Sequence, residues 1–281
     1  MSGRVVVIAP ARTQRPGAPR PRLEPLTKAE LESCPFCEGR ESRTPPETLA
    51  LGRGAGEPDT PGWAVRVVPN LYPALEFQEV VVHTPRHARS LAELSDDEIG
   101  LVAEAWQRRA AERRGLYVHA IVNEGGAAGS SLPHTHSQLV WLADTPPEAA
   151  RELAHAGHGC PLCVLRGDRE LVVLERAGVA LRSSWAGRVP YELLVAPLEH
   201  ETDPWTSGRL VTALQLVAES LRRLHVLEGP SPANVWLHAA GHWHLEVVPR
   251  LTVLAGIELG AGLFINSLAP EQAAEALRAV S

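Results

Sequence analysis

At 281 residues the chain can hold one large domain or two of ordinary size, and 44% apolar with 21% charged residues is a globular balance. A formal charge of −6 with no basic patch speaks against a nucleic-acid partner, and no apolar run approaches the ~20 residues of a membrane span. The single lysine, Lys28, lies in a Pro-rich segment, which argues against Schiff-base chemistry. With neither a basic leader followed by a long apolar core nor a small-residue cleavage site, the expected location is cytoplasmic.

In chain order, residues 4–8 read as a short apolar strand, followed by an irregular Arg/Pro stretch containing Arg12 and Arg15. Cys34 and Cys37 then sit in a loop, and residues 43–62, rich in Pro and Gly, read as an exposed connection. Residues 63–68 alternate like a strand that Pro69-Asn70 breaks, and residues 79–83 form another, leading through Pro85 to His87. Ser95 with Glu98 is a capping-box signature, predicting a helix through Ile99, Val102 and Trp106 that stops at Gly115. A strand over residues 117–123 precedes the Gly/Ser run 125–131, which leads into His134-Thr135-His136-Ser137-Gln138 and the apolar residues 139–142.

The second half repeats this order. Cys160 and Cys163 are followed by strands over 171–174 and 179–182, then by 192–196 leading through Pro197 to His200. A helix is predicted over about 203–227, a strand over 234–238, and then His242-Trp243-His244-Leu245-Glu246. Both halves therefore read Cys-x-x-Cys, strand, Pro-x-x-His, helix, strand, His-x-His-x-Gln/Glu, an internal duplication. The predicted fold is α+β, with two tandem domains (1–155 and 156–281) of antiparallel sheets flanked by helices. A short helix from Pro270 to Ala279 closes the chain.

Alternate side chains of a strand share a face, so His134, His136 and Gln138 are expected to point the same way. Cys34, Cys37, His87 and His134 offer a Cys2His2 set, and Cys160, Cys163, His200 and His242 a second. Four N/S ligands with no open position describe structural zinc. A redox pair would need a thioredoxin-like context, and the two cysteine pairs are too far apart for a compact zinc ribbon. His83, within a strand, is the rival to His87; the loop histidine is preferred because His200 is its counterpart.

With His134 on the metal, His136 is left as a free imidazole able to attack phosphorus and split a transfer into two displacements. Gln138, Ser131 and the amides of the Gly/Ser run would face the equatorial oxygens. Glu246 stands where Gln138 does, and its charge would repel a phosphate, so only the first half is expected to be catalytic.

The stretch from Asn123 through Gly129, Ser130 and Ser131 to His134-x-His136-x-Gln138 resembles the active-site signature of the galactose-1-phosphate uridylyltransferase family, a branch of the histidine-triad superfamily. Cys34, Cys37 and His87 resemble that family's zinc ligands, Arg12 and Arg15 its Arg-x-x-Arg-Pro nucleotide segment, and Asn70 a nucleotide-contacting asparagine. The resemblance implies that the two tandem domains are histidine-triad-like, and it implies UMP exchange between UDP-glucose and galactose 1-phosphate through a nucleotidylated His136, with nucleotide sugar and sugar phosphate as ligands, and a homodimer. The family usually has Pro and Gly where Thr135 and Ser137 stand here. His-x-His-Ser-Gln with two Cys-x-x-Cys pairs also resembles the related branch acting on ADP-glucose. A zinc-stabilised nucleotide-binding protein without turnover is the reading from outside enzymology.

Overall fold

A computed structural model describes residues 3–14, 20–155 and 159–280, so Arg15 lies outside the described residues. The first half runs β1 (Val5–Ile8), α1 (Lys28–Ser33), β2 (Leu49–Leu51), β3 (Val65–Pro69), β4 (Phe77–Val82), α2 (Asp96–Glu112), β5 (Tyr117–Glu124) and β6 (His136–Leu142). The chain continues with α3 (Pro147–His155), α4 (Pro161–Leu165), β7 (Val172–Arg176), β8 (Val179–Ser183), β9 (Leu193–Pro197) and α5 (Leu210–Glu228). The end of the chain adds β10 (Ala233–His238), β11 (His244–Pro249), α6 (Gly256–Ala261), β12 (Leu263–Asn266) and α7 (Pro270–Arg278).

Ten strands form one antiparallel sheet in the order β2-β3-β4-β6-β5-β10-β11-β9-β8-β7. The order is palindromic because the repeats meet through their matching strands β5 and β10, where Asn123 stands opposite Asn234. The duplication therefore yields a single sheet, each half supplying five strands. In β5 every second residue (Val118, Ala120, Val122, Glu124) is buried against the helices, and the intervening side chains face the other way. Long helices α2 and α5 cover that first face over one continuous apolar core. Ser95 and Glu98 close the predicted capping box of α2 and present Ile99, Val102 and Trp106 to the sheet. Each large aliphatic side chain buried there is worth about 1.5–3 kcal/mol.

Three differences from the sequence-based expectation have local causes. His134 lies in the turn before β6, not in the strand. The second long helix starts at Leu210, because Asp203 accepts hydrogen bonds from the Trp205 N–H and the Thr206 hydroxyl and holds the preceding residues in a turn. Residues 43–62 contain the edge strand β2. Outside the main sheet, β1 pairs in parallel with β12, and Arg4 just before it ion-pairs with Glu148 and Glu192. Among the described residues no helix is long and apolar enough to cross a membrane.

Glu124 closes β5 from within the core, accepting hydrogen bonds from the Leu91 N–H (2.6 Å) and the Ser90 hydroxyl (2.7 Å). Burial dominates those bonds and raises its carboxyl to about 7. Between about pH 4.5 and 7 the folded chain therefore holds a proton the unfolded chain has lost, so stability falls as pH rises through this window. Denaturant unfolding at stepped pH should show the wild-type chain losing stability relative to Glu124→Gln by up to about 1.4 kcal/mol per pH unit. Parallel pH curves for the two proteins would contradict this.

Candidate active site and metal centres

The turn before β6 reaches the cysteine loop that follows α1. Cys34 Sγ lies 3.4 Å from His134 Nδ1, Cys37 Sγ 3.7 Å from the same atom, and Cys37 Sγ 3.4 Å from His87 Nδ1. The four ligand atoms lie within 4.8 Å of one another. Bonds of ~2.3 Å to sulfur and ~2.0 Å to nitrogen around a tetrahedral zinc put adjacent S and N atoms about 3.5 Å apart, matching this spacing. Both rings turn Nδ1 inward because Nε2 is engaged elsewhere: His134 donates to the Thr84 carbonyl (2.9 Å) and His87 to Glu30 (2.8 Å). Such outer partners set tautomer and ring orientation at zinc sites. Burial, then the neighbouring Cys34 sulfur, pushes the Cys37 thiol up to about 12. Two thiolates this close need a cation between them, so the donor set fits zinc.

Cys160, Cys163, His200 and His242 repeat the arrangement with S···Nδ1 distances of 3.3, 3.5 and 3.5 Å, and His242 Nε2 donates to the Pro197 carbonyl (3.0 Å). Both predicted Cys2His2 sets are thus brought together. His83 belongs to neither and lies between Thr135 and Ser137.

His136 and Gln138 share the sheet face away from the helices, paired across β4 with Val82 and Val80. The His136 ring is 7% exposed and packs edge-on to Phe36 at 5.4 Å. Its Nδ1–H donates to the His134 carbonyl at 2.7 Å, which leaves Nε2 as the nitrogen with a lone pair. Nε2 makes no hydrogen bond among the described residues. Burial lowers the His136 pKa below the ordinary imidazole value, although the His134 carbonyl opposes this. Two residues on, Gln138 Oε1 accepts from Gln78 Nε2 at 2.5 Å, and Gln78 Oε1 accepts from the Ala74 N–H at 2.9 Å. That chain turns the Gln138 NH2 away from Gln78, free to donate.

The Gly/Ser run starts at Gly125, where a positive φ of 81° and a Cβ contact of 2.5 Å with Leu23 leave room for glycine alone. Gly129 takes the left-handed conformation that ends its helical turn, and the Ser130 hydroxyl donates to the Leu132 carbonyl. Asn234 Nδ2 donates to Asn123 Oδ1 (2.7 Å) and to the Ala128 carbonyl (2.8 Å), tying the loop to the junction of the halves. A cavity of about 460 Å³ borders Gly125, Ser130, Ser131 and Arg89; His136 is not among its lining residues. Asn70 caps the turn into β4 by accepting from the Tyr72 N–H. Arg12 stands on the helical turn after β1, beside the second half, and makes no side-chain hydrogen bond among the described residues.

The face of the second half that corresponds to His136 and Gln138 is occupied by its own charges. His244 Nδ1–H donates to the His242 carbonyl (3.0 Å), as His136 does to His134, but Glu246 is paired with Arg188 and lies 4.0 Å from Arg4. Arg188 also pairs with Glu192. Glu152, on the unpredicted helix α3, accepts from His238 Nδ1 at 2.8 Å. Burial alone would raise the Glu152 carboxyl, but the His238 bond and the nearby imidazoles bring it down to about 2. Glu152, His238, His244 and Glu246 lie within 4.8 Å of one another. Periodicity in the sequence does not reveal this cluster, since its members come from three separate elements.

The sequence profile described as "Galactose-1-phosphate uridyl transferase, N-terminal domain" matches residues 77–147, the segment holding His87, His134, His136 and Gln138. ADP-glucose phosphorylase of Arabidopsis thaliana is 27% identical over all of this chain and 91% of its own. Galactose-1-phosphate uridylyltransferase of Haemophilus influenzae is 32% identical over 72% of this chain and 66% of its own. The crystal structure of the Arabidopsis ADP-glucose phosphorylase with bound ADP-glucose superposes with a TM-score of 0.82 and 26% identity, covering 98% of this chain and 96% of that one. A twinned arrangement of His-x-His strands in one sheet, the matched profile and these relatives place the chain in the galactose-1-phosphate uridylyltransferase family.

Proposed function

We propose that this chain is a zinc-containing nucleotidyltransferase working through a covalent nucleotidyl-His136 intermediate. The observation that carries this reading is the 2.7 Å bond from His136 Nδ1–H to the His134 carbonyl, which leaves Nε2 as a fixed, unprotonated nucleophile. Nε2 attacks the α-phosphorus of a nucleotide sugar, forming a P–N bond and breaking the P–O bond to the β-phosphate, so a sugar 1-phosphate leaves. An acceptor phosphate oxygen then attacks the same phosphorus and frees the ring. Gln138 Nε2, Ser131 and the loop amides near Gly129 and Ser130 donate to the equatorial oxygens as charge builds there. An amide at position 138 can donate a hydrogen bond but cannot protonate a leaving group, which favours keeping the intermediate over hydrolysing it. Asn123, Asn70, Arg12 and Arg15 are the remaining nucleotide-binding candidates.

Cys34, Cys37, His87 and His134, and likewise Cys160, Cys163, His200 and His242, would each hold a zinc ion with no open position, which would supply a structural cross-link. Residues 1–155 carry the chemistry. In residues 156–281 the Arg188–Glu246 pair fills the corresponding face. Likeness along the whole chain to ADP-glucose phosphorylase supports ADP-glucose as donor and phosphate as acceptor. The UDP-glucose and galactose 1-phosphate reading rests on the family profile and the Haemophilus relative.

Mass spectrometry after mixing the protein with ADP-glucose or UDP-glucose should find AMP or UMP on His136, and the added mass identifies the base. His136→Ala should carry neither and should release glucose 1-phosphate at least ~100-fold more slowly. Release of glucose 1-phosphate with no adduct from either donor would sink the covalent mechanism. Metal analysis is expected to find two zinc ions per chain, matching the two ligand sets. Cys34→Ser should lose one and slow adduct formation by about tenfold or more. Cys160→Ser should also lose one and lower the melting temperature. Full metal content in either variant would remove the ligand assignment.

A further inference from the structure

His83 directly follows β4 and is fully buried. Its Nδ1 lies 3.0 Å from the Thr135 hydroxyl and its Nε2 3.0 Å from the Ser137 hydroxyl. Thr135 and Ser137 flank His136 and point to the helix side of the sheet, opposite to the His136 ring. Residues two apart on a strand are separated by roughly 6.5–7 Å, a gap that a ring bonded through both nitrogens can bridge. The Ser137 oxygen also accepts from Trp106 Nε1–H at 2.7 Å, and indole is a donor only. In the arrangement that also uses the Ser137 proton, Ser137 donates to His83 Nε2 and His83 Nδ1–H donates to Thr135. The hydrogen bonds run in one direction from α2 through the ring to the turn before β6. Burial, then the neighbouring His136 and His134, drives the His83 pKa well below the ordinary imidazole value, in keeping with the neutral ring this pattern needs.

The second half serves as an internal comparison. There the residues flanking His244 are Trp243 and Leu245, both in the apolar core, and the stretch corresponding to His83 reads Val195-Ala196-Pro197. None of these side chains offers a bridging donor and acceptor. The polar clamp is found behind His136 and not behind His244.

We propose that His83 is a positioning residue for His136: by bonding Thr135 and Ser137 together it holds the backbone on both sides of the nucleophile and so sets the direction of the His136 ring. The proposal rests on the reading of His136 as nucleophile. An aiming device of this kind acts on the chemical step more than on ground-state binding, and displacements of about 1 Å cost up to ~100-fold in rate.

The test uses the zinc-loaded full chain with His83→Leu, His83→Gln, Thr135→Val, Ser137→Ala and the pair Thr135→Val/Ser137→Ala. Single-turnover adduct formation is read against donor concentration. His83→Leu is expected to slow the step about 10- to 100-fold with half-saturation changed by less than about twofold. The hydroxyl pair should give a similar loss, His83→Leu added to that pair should cost nothing further, and His83→Gln should recover part of the rate. An unchanged rate in His83→Leu, or losses that multiply when the variants are combined, overturns the assignment. If His83→Leu does not fold, the hydroxyl variants carry the test alone. If the wild-type chain forms no adduct, the nucleophile reading fails. The assignment is then decided by the ¹⁵N signals of the His136 ring: a single Nδ1–H tautomer lost in the hydroxyl pair supports it, and an unchanged tautomer overturns it.

Discussion

Strand alternation across five residues is the constraint on which this molecule depends. Entering β6, the chain sends His134 to the thiol cluster, Thr135 and Ser137 toward the helices, and His136 and Gln138 to the open face. Because the side-chain period of a strand is two, a one-residue slip would aim the His136 ring into the apolar core. The ladder with β4 and β5, the Cys2His2 cluster and the buried hydroxyls all act against that slip.

Duplication shapes the rest. Matching strands β5 and β10 meet at the centre, so the second half removes an exposed sheet edge beside β6. Its own His-x-His strand keeps the metal-binding geometry and the backbone-oriented second histidine, but Arg188, Glu192, Glu246, Glu152 and His238 satisfy one another where the first half leaves Gln138 free to donate. Charges held in pairs on that face of the second half, and an imidazole Nε2 without a hydrogen bond among the described residues on the first, are the electrostatic difference between the two repeats.

Much of this was legible in the residues. The capping box at Ser95, the alternation of β5 and the repeated order of motifs lead to α+β tandem repeats without coordinates, since local periodicity and cap chemistry act over a few residues. The two Cys2His2 sets were legible because metal geometry restricts which residue types converge. Three features were not. His134 sits in a turn, where its ring meets the thiols beside the His136 face of the sheet; Glu152 on α3 matters only through what it faces; and His83 looks from sequence like a spare metal ligand. Thr135 and Ser137, the two departures from the family's usual Pro and Gly, are the residues His83 holds.

By itself, the sequence determined the class of fold and the two Cys2His2 groupings that the structure brings together, because each follows from residue type and short spacing. Only the tertiary structure decided that the two repeats fuse into one sheet, that Arg12 stands beside the second half, and that the charged cluster of that half is internally satisfied. Those outcomes depend on contacts between residues far apart in the chain. No local propensity encodes which donor meets which acceptor once the sheet has closed around them.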